Sequence, residues 1–155
     1  MTVPTPDYIS LVRDIVTSAK KLNAANTDQP NALVNYACIF SHGEEEYTDL
    51  VADITESGRV IKDTQMGPVL LVPEFGTSAG PLHIVKVRKP DPTRPERGDA
   101  DFTVTDYESF KAKYLGQPGW NIVVRPEMEM LELSTPDADV LAYYSHPTLS
   151  EVLGV

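Results

Sequence analysis

Apolar side chains recur at helical spacing from Tyr8 through Leu11, Val12, Ile15, Val16 and Ala19 to Leu22, which predicts an amphipathic N-terminal helix. Thr5 stands where an N-cap is wanted, and Pro6 at the first helical position, where a missing N–H costs nothing. The period is lost from Asn23 to Asn31. That polar stretch ends in Gln29-Pro30-Asn31 and reads as a connector, because the residue before proline is pushed off helical angles.

Beyond it the pattern changes period. Leu33 to Ser41 is rich in β-formers and predicts a strand. Ser41 and Glu44 have the spacing of a capping box ahead of a helical face of Tyr47, Leu50, Val51 and Ile54, with Gly58 placed for a left-handed C-terminal residue. Three β-segments follow, over 59–64, 68–73 and 82–89. The same order then returns: a strand from Asp99 to Val104, a capping box at Thr105 and Glu108, and a helical face of Tyr107, Phe110 and Tyr114 ending at Gly116. Strands over 121–125, 127–133 and 140–145 complete it. The two capping boxes lie 64 residues apart, and the second helix is expected to be about two turns shorter.

The chain therefore predicts an α+β fold in one domain over 1–155. Residues 1–32 hold the helix and connector, 33–89 a first βαβββ module and 99–145 a second. The segment 90–98, with three prolines, is a stiff linker, and 146–155 a tail in which Leu149, Val152 and Leu153 make a helical turn. With 155 residues and 41% of them hydrophobic, such a chain can bury a core without a disulfide or a metal.

Charge and cysteine usage narrow the partners. A net charge of -10 disfavours non-specific contact with nucleic acid or an anionic membrane, and no apolar run approaches the ~20 residues of a membrane span. A lone Cys38 permits no intrachain disulfide, and the start MTVPTPDYIS has no signal-peptide character, so a cytoplasmic location is expected.

Two consecutive βαβββ units between Leu33 and Ser145 resemble the vicinal oxygen chelate superfamily, the glyoxalase, bleomycin-resistance and extradiol dioxygenase fold. The resemblance implies a curved mixed sheet of eight strands around a cavity, with helices outside. It also implies metal ligands on the first and last strands of each unit, and here the sequence departs from it. By the offset of 64 the first-strand positions are Ala37 and Asp101, or Cys38 and Phe102 after a one-residue slip, and the last strand of the first unit offers Lys86 where the family commonly has glutamate. An ammonium cannot donate to a metal, so no metal or other cofactor is expected.

Strand alternation sets Val85 and Val87 on one face and Lys86 and Arg88 on the other. If the apolar face meets the helices, Lys86, Arg88, Asp99, Asp101 and Thr103 look inward, and a Lys86–Asp101 ion pair is expected where the resembling enzymes hold a metal. Glu129 and Glu132 must point to opposite faces, with Glu132, between Leu131 and Leu133, the inward one. The candidate ligand-binding set is Lys86, Arg88, Asp101, Thr103, Arg125 and Glu132.

Other chemistry-bearing residues have plainer readings. Glu44, Glu45 and Glu46 suit the positive end of a helix dipole without any ligand beside His42. His83 shares the face of Val85 and Val87, His146 precedes Pro147 in a turn, and Cys38 mid-strand is a small hydrophobe. Three functions follow. The first is binding of a small anionic molecule by Lys86, Arg88 and Arg125. The second is a metal-dependent lyase, isomerase or dioxygenase built on Asp101 or Glu132. The third is an interaction module whose Tyr8, Leu11 and Ile15 stripe docks to a partner or to a second copy as a homodimer.

Overall fold

The computed structural model describes residues 7–155, so the expected cap at Thr5 and Pro6 lies outside it. Helix α1 spans Asp7–Asn26, then β1 Leu33–Phe40, α2 Glu44–Thr55, β2 Arg59–Thr64, β3 Gly67–Thr77 and β4 Gly80–Arg88. The second half runs β5 Gly98–Thr103, α3 Tyr107–Tyr114, β6 Trp120–Val124, β7 Glu129–Leu133, β8 Val140–His146 and α4 Leu149–Leu153. All eight strands form one curved mixed sheet in the order β2-β3-β4-β1-β5-β8-β7-β6. Each βαβββ unit supplies one half, and the two first strands, β1 and β5, meet antiparallel at the centre.

Alternation divides the sheet into two faces. Ala37, Ile39, Val85, Val87, Ala100, Phe102, Ala142 and Tyr144 form one core with the buried side of α1, from Tyr8 to Leu22. Tyr36, Cys38, Phe40, Ile84, Met130, Leu141 and Tyr143 point the other way and gather Leu149 of α4. A register shift in β1 between Val34 and Tyr36 puts those two side chains on opposite faces.

The helix ends differ from expectation, for local reasons. Helix α1 runs four residues past Leu22 because Asn23 is a fully buried hub rather than the start of a connector: its Oδ1 accepts from Tyr144 and Thr27, and its Nδ2 donates to the Gln29 carbonyl. Neither expected capping box forms. Helix α2 starts after Gly43 with no side-chain cap, and α3 after Asp106, whose carboxylate accepts from the Ser109 N–H. Thr105 is instead tied to the Gln29 side chain, its N–H and hydroxyl both donating to Oε1. The helices begin at Glu44 and Tyr107, so the offset between units is 63 residues, not 64. Helix α3 has 8 residues against 12, a difference of one turn rather than two.

Two glycines are required by close approach. A Cβ at Gly58, which is not left-handed, would lie 2.6 Å from the Leu71 carbonyl oxygen. One at Gly98 would lie 2.2 Å from the Cys38 carbonyl oxygen and 2.8 Å from Ile15 Cδ1, at the joint of β1, β5 and α1. Gly98→Ala should therefore destabilise by about 1–3 kcal/mol or more, read as a lower urea midpoint with unchanged slope.

Candidate functional site

The sheet face turned away from α1 borders a cavity of about 440 Å³. Its floor is built by strand register. One row runs Lys86, Cys38, Asp99 across β4, β1 and β5, and the next runs Tyr36, Asp101, Tyr143, Glu132 across β1, β5, β8 and β7. Val69, Val123, Met128, Met130 and Leu149 supply an apolar wall. Helix α4 is pinned over β1 by Asn35, whose Nδ2 donates to Ser150 Oγ at 2.8 Å and whose Oδ1 accepts from the Ser150 N–H at 3.1 Å. The tail thus places Leu149 on the lining.

Most of the polar floor is internally satisfied. Tyr143 OH donates to Glu132 Oε2 at 2.5 Å, and Arg94 Nη2 lies 3.4 Å from the same oxygen. Ser145 donates to Asp101 Oδ2, while Asp101 Oδ1 is buried without a partner among the described residues. Two groups that line the cavity differ. Lys86 is half-buried with its Nζ 5.3 Å from the Tyr36 ring centroid, and among the described residues it has neither an ion pair nor a hydrogen bond. Asp99 is 6% exposed, lines the cavity, and its buried Oδ1 has no partner among the described residues.

The electrostatics follow from that burial. Burial pushes Asp99 up to about 7, with Lys86 pulling against it and Asp101 adding to it. Asp101 also rises to about 7 through burial, against the Ser145 hydrogen bond and the Lys86 charge. The Tyr143 hydroxyl is pushed up by burial, then by the Asp99 charge and its bond to Glu132. The Cys38 thiol is pushed up by burial and by Asp99, so it stays a thiol and is no nucleophile.

Of the predicted residues, Lys86, Arg88, Arg125 and Glu132 line the cavity. Asp101 faces it but is sealed at 0% exposure beneath the lining. Thr103 shares its alternation yet sits exposed at the end of β5, clear of the cavity. The expected Lys86–Asp101 ion pair is not formed, because β1 lies between their strands and the register sets Lys86 level with Asp99. Arg88 reaches Asp91 at 3.8 Å and stands over Phe40. Glu129 points away, as alternation requires, accepting from Tyr107 and Lys111. Among the described residues no histidine lines the cavity: His42 contacts the Glu96 carbonyl oxygen, and His146 stacks on Tyr107.

Sequence reasoning missed Arg94, Tyr36 and Tyr143. Arg94 sits in the proline-rich linker, where no period exists to orient it, and the tyrosines read as ordinary β-formers. Asp99, expected to look inward on the same face as Asp101 but left outside the candidate ligand-binding set, does line the cavity.

The residues facing the cavity do not fit the divalent metal that the resemblance implies. With the offset of 63, Cys38 and Asp101 become the equivalent first-strand positions, whereas Ala37 belongs to the helix-side core. Asp101 is sealed at 0% exposure, and the Lys86 ammonium has no lone pair to give. Among the described residues no three His, Cys, Asp or Glu side chains are grouped to hold an ion.

No family model matches the chain. No curated protein matches it either. Among solved structures, the structural-genomics protein EC4020 superposes with a TM-score of 0.67 at 12% identity, covering 99% of this chain and 97% of its own. The two chains share one fold. A glyoxalase/bleomycin resistance protein/dioxygenase superfamily member from Vibrio splendidus 12B01 aligns over 74% of this chain and 97% of its own, at 10% identity and a TM-score of 0.46. Glyoxalase I from Zea mays aligns over 72% of this chain and 42% of its own, at 15% identity and a TM-score of 0.42. The α+β architecture with paired βαβββ units that the resemblance implied is the one this chain has.

Proposed function

We propose that this chain binds a small organic anion with an apolar body in the inter-strand cavity, its anionic group seated on Lys86. One observation carries the reading: an ammonium turned into a cavity of about 440 Å³ with no carboxylate among the described residues within ion-pair distance. Other cations along the lining have claims on them already, Arg94 on Glu132 and Glu96, and Lys62 on Glu127. Arg88, paired with Asp91, and the exposed Arg125 also line the cavity, where they add attraction for an incoming anion. The apolar wall from Val69 to Leu149 suits a hydrocarbon body rather than a bare inorganic ion.

The alternatives draw less from the molecule. A metal-dependent reaction finds no grouped donor set among the described residues. A docking role for α1 conflicts with the burial of Tyr8 and Ile15 against the chain's own sheet.

3-Phenylpropionate is a suitable probe because it joins a carboxylate to an apolar ring. Calorimetric titration should show binding to the parent protein, and Lys86→Met, which removes the charge but keeps the stem, should weaken it by about tenfold or more. Equal affinity in both proteins would contradict the proposal.

A further inference from the structure

The cavity holds a second unsatisfied group besides Lys86. Asp99 is level with it across one intervening strand, both pairing with Cys38 in the register. Three acids face this side of the sheet centre: Glu132 is answered by Tyr143 and Arg94, and Asp101 by Ser145 at one oxygen, its other oxygen being unpartnered among the described residues but sealed at 0% exposure, so Asp99 is the unpartnered acid that lines the cavity. Asp99 receives no hydrogen bond from any described side chain or backbone N–H, although it is 94% buried by its 6% exposure. A buried acceptor left without a donor is destabilising, so such groups in native proteins call for a partner.

Resting on the anion-binding reading above, we infer that the ligand is a 2-hydroxy or 2-amino carboxylate: its carboxylate meets Lys86, and the hydroxyl or ammonium on the adjacent carbon donates to Asp99. The two protein groups differ in charge and lie two strands apart. A ligand that joins an acceptor to a donor through one carbon satisfies both at once, whereas a simple carboxylate leaves Asp99 orphaned and places a second negative group near it. Hydroxyl and ammonium share this donor chemistry. They differ in charge, and that separates them experimentally.

The groups facing Asp99 agree with this division. Lys86 and Arg88 come from β4, Cys38 and Tyr36 from β1, Asp101 from β5, Tyr143 from β8 and Glu132 from β7. None of these donates to Asp99, and the Tyr143 hydroxyl is engaged with Glu132. A donor brought by the ligand is the contact still wanting.

Three isosteric probes test the inference: 3-phenylpropionate, 3-phenyllactate and phenylalanine, titrated at pH 8 into the full chain. Either substituted acid should bind about tenfold tighter than 3-phenylpropionate, and Asp99→Ala should bring that ratio to about one. Asp99→Asn, which keeps an acceptor and loses the charge, should retain part of a hydroxyl preference and abolish an ammonium preference. If 3-phenylpropionate binds in a Lys86-dependent way while all three affinities agree, the inference falls and anion binding stands. A preference that survives Asp99→Ala overturns it equally. If none of the three binds, both fall.

Discussion

Removing residues 1–26 is expected to leave a chain that does not fold to a soluble monomer. Tyr8, Val12, Ile15, Val16, Ala19 and Leu22 are all buried, and they cover the β1, β5 and β8 faces where the two halves of the sheet meet. At about 1.5–3 kcal/mol for each large apolar side chain, the loss is comparable to the whole ~5–15 kcal/mol stability of a domain. Buried Asn23 is lost as well, leaving the Tyr144 hydroxyl without its acceptor. Size-exclusion chromatography and near-UV circular dichroism of the truncated chain check this. A monodisperse, folded remnant would show that α1 is a detachable docking element and not part of the core.

The second large effect concerns the buried acid in the cavity. Asp99→Asn is expected to stabilise the protein at pH 8 by on the order of 2 kcal/mol. The sign follows from the direction of the shift. The folded-state value, about 7, lies above the ordinary 3.8, so the folded protein holds a proton there that the unfolded chain has released. Stability from this group is fully present below 3.8 and is lost as pH rises to about 7. The amide variant lacks that loss. Its advantage over the parent should therefore grow between about pH 4 and 7 and stay constant above. The full linkage exceeds 2 kcal/mol, but Asp101 titrates beside Asp99 and the new amide is itself buried without a partner. Urea unfolding of both proteins at pH 4, 6 and 8 decides it; parallel stabilities across that range would contradict the assignment.

The fold was largely legible because periodicity is a property of burial. Val85 and Val87 against Lys86 and Arg88 announced which side of β4 meets the helices, and the structure has them so. The repeat of strand, helix and three strands was equally visible. What failed were single-residue matters. Ser41 and Thr105 have capping chemistry, but the turns before α2 and α3 are one or two residues longer than a capping box allows, and Gly43 and Asp106 take the caps. That slip carried through to the offset, and so Ala37 was matched to Asp101 although the two point to opposite sides of the sheet.

The candidate site was legible only where strands carry it. Lys86 and Glu132 are oriented by alternation, so their inward direction could be read from neighbours. Arg94 reaches Glu132 from a loop, and the pairing of Lys86 with Asp99 instead of Asp101 depends on how β4, β1 and β5 align. Long-range register leaves no trace within one strand. Thr103 shows the converse limit: its alternation is inward, but β5 ends there and the cavity does not extend to it.

A crystal structure of the protein soaked with 3-phenylpropionate examines the seat itself. The carboxylate should lie within hydrogen-bond distance of Lys86 Nζ, with the ring against Met130 and Leu149. An acid bound only elsewhere on the surface, with the space beside Lys86 unchanged, would contradict the account.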